Sequence, residues 1–250
     1  MTRDKPAPPP GPESINVLVT RPGPAGKSLT QALRDQGAEV SWQPAISKTP
    51  NPGGRRRFLE EIKNADLLLI TSPEVLEILG EQQAAAIKIP CAIVGQASAE
   101  RWRQNQAKAI AKAATLRGLH SLLLSERILD AHPRVLWPRG NLYQADLAEK
   151  LRASCNLTEI EFYATHNAYL DRELDIDPTQ DNTLIHFASP SAVQAFTAAL
   201  VRQGAEDRRA NWIAQTIGPT TAAALKPKEW RALRIAKSPN EDHQLEALLA

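Results

Sequence analysis

The stretch Ala188-Ser189-Pro190-Ser191-Ala192-Val193, which directly follows an apolar run, decides the fold class of this 250-residue chain. Serine caps helix N-termini, and proline suits the first helical turn because its missing N–H would have no partner there. The stretch therefore predicts a strand that runs straight into a helix. A similar junction occurs at Thr71-Ser72-Pro73-Glu74-Val75. Both junctions would present free backbone amides, which favour anions.

Two further pairs of segments extend this similarity into an internal duplication. Val17-Leu18-Val19-Thr20-Arg21-Pro22 resembles Val135-Leu136-Trp137-Pro138-Arg139-Gly140, and Ala92-Ile93-Val94-Gly95 resembles Gln215-Thr216-Ile217-Gly218. The pairs keep their order and nearly keep their spacing. Because three matches in register are less common by chance than one, we interpret the repeat as a half-protein unit.

A fourth pair, Val40–Ile46 and Ile160–Thr165, leaves two topologies open. If each half folds on itself, these segments are internal strands. If the halves exchange their opening units, the segments become two crossings between domains. The residues alone do not choose between these topologies.

Short apolar runs alternate with helical patterns from Ile15 onward, which is typical of parallel α/β proteins. The predicted strands are Ile15–Thr20, Glu39–Trp42, Asp66–Thr71, Cys91–Val94, Arg134–Trp137, Thr158–Tyr163, Thr183–Ala188 and Gln215–Ile217. The predicted helices include Lys27–Gln36, Glu74–Leu79, Ala97–Gln104, Leu142–Arg152, Ser191–Val201, Thr221–Leu225 and a last helix at His243–Leu249. Ligands of such sheets collect at the carboxyl ends of the strands, where the repeated segments lie.

The amino-acid composition restricts the classes of protein and of ligand that we expect. The chain is 42% hydrophobic and 23% charged, as expected of a globular protein with a sizeable core. Its net charge of +2 argues against nucleic-acid binding but permits local basic patches for a small acidic ligand. Cys91 and Cys155 are isolated, so the sequence predicts a reducing, cytoplasmic location.

The first fourteen residues contain five of the 19 prolines and almost no apolar side chains. They predict a disordered tail at 1–14 and lack the apolar core of a signal peptide. No later run approaches the roughly 20 apolar residues of a membrane span, so no membrane association is expected.

Several familiar catalytic motifs are absent. Gly26-Lys27-Ser28 has the place of a phosphate-binding loop, but Arg21 stands where that loop needs glycine. The five histidines form no paired metal spacing, and no Gly-x-Ser-x-Gly elbow supplies a nucleophile. His186 lies in an apolar run and is interpreted as a core residue with satisfied hydrogen bonds rather than as a metal ligand. No metal or cofactor is expected.

Seven segments carry a family resemblance by their order along the chain. They are Val17–Pro22, Thr71–Pro73, Val94–Gly95, Pro138–Asn141, Phe162–Tyr163, Ser189–Val193 and Ile217–Ala222. Together they resemble uroporphyrinogen-III synthase from Ile15 to the C-terminus, with Ile-Gly-Pro-Thr-Thr-Ala as the most specific element. The resemblance implies two similar α/β domains with parallel sheets flanked by helices, joined by a two-stranded β connector.

The resemblance also implies that the halves exchange their opening units. Domain 1 would then be discontinuous, at 15–43 and 167–250, and domain 2 would be 44–155. The connector strands would lie near 44–48 and 159–166. The substrate would occupy the cleft between the domains, and the protein would be a monomer.

The activity implied is cyclisation of hydroxymethylbilane, a linear tetrapyrrole polycarboxylate, with inversion of the terminal ring and loss of water. This reaction needs no cofactor. Tyr163 matches the family's connector tyrosine and would donate a proton or hydrogen bond to the departing hydroxyl. The expected substrate-binding residues are Arg21, Ser72, Ser98, Arg139, Gly140, Asn141, Ser189, Ser191, Gly218, Thr220 and Thr221.

Two positions depart from the family pattern. Glu74 stands where a small polar residue is common, and Gln144 stands where arginine is common. An acidic group beside an anionic ligand is unfavourable, so the Glu74 side would contribute less to binding, or its side chain would point away. The competing hypothesis is a two-domain protein that binds an anionic small molecule without chemistry, since the same helix ends would serve it.

Overall fold

The chain forms two compact units in a computed structural model. One unit comprises the chain up to Ser47 together with His166–Ala250, and the other comprises Lys48–Thr165. The structure describes residues 16–103, 108–170, 172–176, 183–238 and 240–249. The tail predicted to be disordered, residues 1–14, lies outside these ranges.

Parallel strands form one sheet in each unit. The strands are β1 (Asn16–Val19), β2 (Glu39–Trp42), β3 (Ile46–Pro50), β4 (Leu67–Ile70), β5 (Cys91–Val94), β6 (Ala109–Ala113), β7 (Arg134–Gly140), β8 (Asn156–Asn167), β9 (Leu184–Phe187), β10 (Ile213–Thr216) and β11 (Ala232–Ile235). The first sheet has the order β11-β10-β9-β1-β2 and the second the order β3-β8-β7-β4-β5-β6. All pairs in the first sheet, and the pairs from β8 to β6 in the second, are parallel.

Helices follow most of the strands, as the sequence predicts. They are α1 (Gly23–Asp35), α2 (Pro52–Glu61), α3 (Pro73–Leu79), α4 (Glu81–Ala86), α5 (Gln96–Trp102), α6 (Leu116–Ser125), α7 (Ala145–Ser154), α8 (Pro190–Arg202), α9 (Pro219–Ala222) and α10 (Glu241–Leu249). The longest helices of the described residues, α1 and α8, have 13 residues each. No described helix is suited to crossing a bilayer.

The first sheet is covered on both faces, because successive residues of a strand point to opposite sides. Leu18 of β1 belongs to one core cluster, with Phe196 of α8. Its neighbour Val17 belongs to another, with Leu29 of α1 and Leu248 of α10. Both faces of a parallel sheet are therefore buried, as such sheets require.

The second sheet repeats this layering. Leu68 of β4 packs in a cluster with Phe58 of α2 and Trp102 of α5. Leu69, the next residue, packs in a cluster with Leu119 of α6 and Leu151 of α7. The chain passes from one unit to the other inside β3 and again inside β8. The α/β fold class with two parallel sheets is thus confirmed.

The sequence patterns did not single out β6, β11 and three of the helices, and β3 was expected only from the family resemblance, as a connector strand near 44–48. β6 is rich in alanine, β11 is half-exposed and carries an arginine, and β3 exposes four of its five residues. Helix α2 begins Pro-Gly-Gly, which resembles a loop. It forms because the Asn51 side chain accepts a hydrogen bond from Gly54 N at 3.0 Å and Pro52 occupies the first turn.

Candidate functional site

The first sheet brings three of the expected binding segments together. Its order places β10, β9 and β1 side by side, and these strands run parallel. The segments that follow their carboxyl ends contain Thr220, Ser189 and Arg21 respectively. These residues therefore lie at one edge of the sheet, which we call the first edge. Such edges are where ligands of parallel sheets bind.

Ser189 begins helix α8 as its N-cap. Its hydroxyl accepts a hydrogen bond from Ala192 N at 3.2 Å and lies 3.0 Å from the Ser191 hydroxyl. Both serines are half-buried. The cap uses one lone pair of Ser189, so a hydroxyl proton of the pair remains able to donate to an anion.

In the segment after β10, two adjacent threonines differ in their exposure. Thr220 is exposed, whereas Thr221 is only 4% exposed. Gly218 adopts extended backbone (φ 168°) and has no neighbouring atom within 4 Å of a Cβ built there. Thr220 is therefore available to a ligand, while the Thr221 side chain belongs to the core of this unit.

Arg21 is held by contacts with three other elements. Its carbonyl accepts a hydrogen bond from Trp42 Nε1 at 2.8 Å, and its Nη1 donates to Gln244 Oε1 at 3.3 Å. Helix α1 packs closely here, because a Cβ on Gly26 would lie 2.0 Å from the Arg21 carbonyl oxygen. Arg21 as a whole is half-buried. Gln244 of α10 thus ties the C-terminal helix to the first edge.

His186 of β9 lies beneath this edge and is fully buried. Its Nε2 is 3.0 Å from Gln244 Oε1, and its Nδ1 has no partner among the described residues. Since Gln244 Oε1 only accepts, Nε2 carries the proton. Burial, with a smaller contribution from Arg21, lowers the pKa of His186 to about 4. His186 is therefore a neutral core residue.

In the second unit the expected catalytic residue, Tyr163, lies in β8. It is 8% exposed and belongs to the core cluster that includes Ile160 and Phe162. Its hydroxyl forms no hydrogen bond with any residue that the structure describes. An unpaired phenol whose oxygen is not sealed from solvent is able to donate its proton to a bound molecule.

Gly140 and Asn141 hold the backbone and ring of Tyr163. A Cβ on Gly140 would lie 2.7 Å from Tyr163 Cε2, so only glycine lets the ring lie there. Asn141 N donates to Tyr163 O at 3.1 Å, and the Asn141 side chain bonds both Thr165 N (2.7 Å) and Thr165 O (3.3 Å). The Asn141 amide is thus occupied by β8, and both residues position Tyr163.

Arg139 is also engaged within the protein. Its Nε donates to Glu159 Oε1 at 2.9 Å, and both side chains are 14% exposed. Its guanidinium lies 3.5 Å from the centre of the Tyr143 ring. This arrangement supports the structure around β7 and leaves little of Arg139 for a ligand.

The remaining expected residues of this unit differ in accessibility. Ser72 is half-buried and caps α3, accepting from Glu74 N at 3.3 Å. Ser98 is 1% exposed inside α5, so its hydroxyl does not face a ligand. Gln144 is exposed at the start of α7 and makes no side-chain cap.

Glu74 does not stand unpaired. Its Oε2 lies 2.5 Å from Lys48 Nζ of β3, and the Lys48 ammonium lies 5.5 Å from the centre of the Tyr163 ring. The acidic side chain therefore has a counter-ion, and that counter-ion adjoins the tyrosine. We call Tyr163, Lys48 and Glu74 the tyrosine cluster.

Comparison with protein families identifies the group to which the chain is related. The family model described as uroporphyrinogen-III synthase HemD matches residues 27–246. The chain belongs to the uroporphyrinogen-III synthase family. Membership of this family makes the chain a uroporphyrinogen-III synthase of porphyrin biosynthesis, and it does not favour the alternative of a non-catalytic binding protein.

Solved structures agree with this assignment at the level of the fold. Uroporphyrinogen-III synthetase from Helicobacter pylori 26695 is similar with a TM-score of 0.60 and 18% identity, covering 94% of this chain and 98% of that one. A mutant synthase from the extremely thermophilic bacterium Thermus thermophilus is similar with a TM-score of 0.64 and 14% identity, covering 93% and 96%. Comparison with curated protein sequences gives no match.

Two residues of the site escaped the sequence patterns. Lys48 meets a partner 26 residues away, and Gln244 meets Arg21 across 223 residues. A lone lysine in a polar stretch and a lone glutamine in a C-terminal helix carry no local signal. Within the described ranges, no group of three His, Cys, Asp or Glu side chains is arranged to hold a metal ion.

Proposed function

We propose that this chain is a cyclising lyase that converts hydroxymethylbilane into uroporphyrinogen III with loss of water. The observation that carries the proposal is the family match over residues 27–246. The geometry of both units supports it, since each unit presents hydroxyl or cationic groups of the kind that a polycarboxylate needs.

The substrate's acetate and propionate groups are proposed to contact the first edge. Arg21, Ser189, Ser191 and Thr220 supply donors there, and the Gly218 segment leaves open space above Thr220. Helix α8 adds the positive end of its dipole beside Ser189. Thr221 is omitted because it is buried.

In the second unit Tyr163 is proposed as the catalytic residue and Ser72 as a binding residue. Gly140 and Asn141 act by positioning Tyr163, whereas Arg139 and Ser98 are omitted because one is paired with Glu159 and the other is buried. These candidate residues differ in how accessible they are to a ligand, which their residue types alone did not reveal.

The chemistry proceeds by elimination and rearrangement. The Tyr163 hydroxyl donates a proton or hydrogen bond to the substrate's hydroxymethyl oxygen, and the C–O bond breaks to release water. The resulting azafulvene is attacked by the substituted carbon of the terminal pyrrole, giving a spiro intermediate. Fragmentation and reclosure then form the macrocycle with that ring inverted, and the proton lost from the pyrrole carbon at closure restores the Tyr163 phenol. These steps are redox-neutral, so they need no redox cofactor.

Uncatalysed cyclisation closes the same substrate without inversion, so the chain's main task is to hold the reacting ends in the productive conformation. Incubation with enzymatically made hydroxymethylbilane, followed by separation of the product isomers, tests the function. We expect the type III isomer to predominate. Accumulation of the uninverted isomer alone would exclude the synthase activity.

Two further properties belong to this proposal. The buried free thiols Cys91 and Cys155 suit a reducing compartment such as the cytoplasm.

We also propose that the enzyme acts as a monomer. Light scattering during size-exclusion chromatography should give about the mass of one 27.4 kDa chain, and a dimer mass would contradict this.

A further inference from the structure

The tyrosine cluster contains a cation that no sequence pattern assigned. Lys48 Nζ lies 2.5 Å from Glu74 Oε2 and 5.5 Å from the centre of the Tyr163 ring. The Lys48 and Glu74 side chains are 30% and 18% exposed. The ammonium is thus held on two sides, by a carboxylate and by an aromatic face, at a distance where cation–π attraction operates.

The ammonium retains unused donors. Lys48 has three N–H groups, and Glu74 is its single hydrogen-bond partner among the described residues. The Tyr163 hydroxyl beside it also has no partner among them. A partly exposed ammonium therefore lies over the ring that carries a free hydroxyl, which is an arrangement suited to a ligand that carries both a carboxylate and a hydroxyl.

Glu74 alone would repel such a ligand. Because Lys48 neutralises Glu74, the cluster presents no net negative charge, and the fixed ammonium still attracts an anion from its open side. The two side chains therefore have different roles even though they form one ion pair.

We propose that Lys48 binds a carboxylate of the substrate beside Tyr163 and that Glu74 is a positioning residue that holds the ammonium over the ring. This inference rests on the proposed function and deepens it. It identifies the ligand class of the cluster as a carboxylate of the linear tetrapyrrole, placed so that the hydroxymethyl oxygen can reach the phenol.

The test compares Lys48→Gln, Glu74→Gln and the double variant in the full-length chain. Loss of a charge-assisted hydrogen bond should raise KM for hydroxymethylbilane about tenfold in Lys48→Gln, with a smaller change in kcat. Glu74→Gln should raise KM less than Lys48→Gln does, because the amide oxygen still accepts a hydrogen bond from Lys48 but holds the ammonium less firmly. In the double variant it should restore part of the Lys48→Gln loss, because the unpaired carboxylate is gone. A merely structural ion pair predicts equal effects of both single variants and no restoration.

Arg101→Gln provides a matched control. Arg101 Nη2 forms an ion pair at 2.6 Å with Glu77, which lies on the same helix α3 as Glu74. We expect this variant to leave KM unchanged. Thermal unfolding of all variants verifies folding, and if Lys48→Gln does not fold, Lys48→Arg, which keeps the charge, should retain low KM.

Binding of uroporphyrin, a non-reacting polycarboxylate followed by its fluorescence, separates this inference from the proposed function. Weaker binding to Lys48→Gln than to Glu74→Gln supports the Lys48 role even if the wild-type chain makes no type III isomer. Equal KM and equal binding in wild type and Lys48→Gln overturn the role even if the wild-type chain is an active synthase. Absence of both turnover and uroporphyrin binding in the wild-type chain overturns both proposals.

Discussion

The Tyr163 side chain is 8% exposed, yet no described residue accepts a hydrogen bond from its hydroxyl, and that oxygen is not sealed from solvent. Groups that support the fold are usually hydrogen-bonded when buried. At the scale of single residues, the hydrogen bonding of the hydroxyl distinguishes Tyr163 from Tyr169. The Tyr169 hydroxyl donates to Gln43 O at 2.6 Å and is part of the structure of the first unit.

Tyr163→Phe should therefore lower kcat by roughly 100-fold while leaving the free energy of unfolding nearly unchanged, because general acid catalysis is lost but no internal hydrogen bond is. Isomer-resolved turnover and urea unfolding measure the two quantities. Tyr169→Phe is the matched control and should show the opposite, a loss of about 1 kcal/mol in stability with normal kcat. Unchanged turnover in Tyr163→Phe would remove its catalytic role.

At the scale of the element, the stability of helix α8 depends on its N-cap residue, Ser189. Ser189 accepts from Ala192 N at 3.2 Å, so Ser189→Ala should cost about 1 kcal/mol of stability. Ser189→Asn and Ser189→Asp keep a capping oxygen and should restore most of this loss.

The same three variants separate capping from ligand binding. If the first edge binds carboxylates, Ser189→Asp should raise KM despite its restored stability, because it adds a negative charge beside the substrate. Ser189→Asn should raise KM less. Equal KM values for Asn and Asp variants would argue against carboxylate binding at this helix end.

Helix α1 depends on close backbone contact with the segment after β1. Gly26→Ala places a Cβ 2.0 Å from the Arg21 carbonyl oxygen, a backbone atom that cannot rotate away. We expect a loss of about 1–3 kcal/mol in stability, as for other overpacked sites, together with a higher KM because Arg21 shifts. Gly53→Ala, also helical, is the control, since its nearest contact is a side-chain atom, Asn51 Oδ1 at 3.3 Å. A wild-type melting temperature for Gly26→Ala would contradict the packing.

At the scale of the whole molecule, the free energy of unfolding depends on pH through the buried His186. The pKa of His186 is lowered to about 4 by burial, whereas an unfolded histidine titrates near 6.5. Between these pH values the unfolded chain binds more protons than the folded one. The free energy of unfolding should therefore fall as the pH drops from about 6.5 to 4, by up to roughly 3 kcal/mol, and should not change through this group above pH 6.5.

Urea unfolding at a series of pH values measures this dependence, and His186→Asn should flatten it. The Asp66 and Glu246 carboxyls and His120 also have lowered pKa values and contribute to the pH dependence. The Asp66 carboxyl, whose pKa Arg134 holds at about 2, acts only at lower pH. His120, whose pKa is lowered by partial burial, acts in the same range, so His120→Asn is the control and should change the slope less. An unaltered slope in His186→Asn would refute the assignment.

Much of the fold could be predicted because its signals are local. The bounds of β2 and β5 match the predicted strands, and the Ser-Pro junctions begin α3 and α8. Strand β6 was missed because alanine has weak strand preference, and β11 because it is a half-exposed run of only four residues; pairing with β5 and β10 overrides these weak local signals.

The sequence by itself determined the α/β class, most of the strands and helices and the Ser-Pro helix caps, because hydrophobic periodicity and capping act between residues near one another in the chain. It also indicated the family, through the order of seven short segments. Only the tertiary structure decided which candidate groups are free. It paired Arg139 with Glu159, buried Ser98 and Thr221, occupied the Asn141 amide with Thr165 and set Lys48 against Glu74 and Tyr163. These outcomes depend on contacts and burial created by packing, which residue type and spacing do not specify.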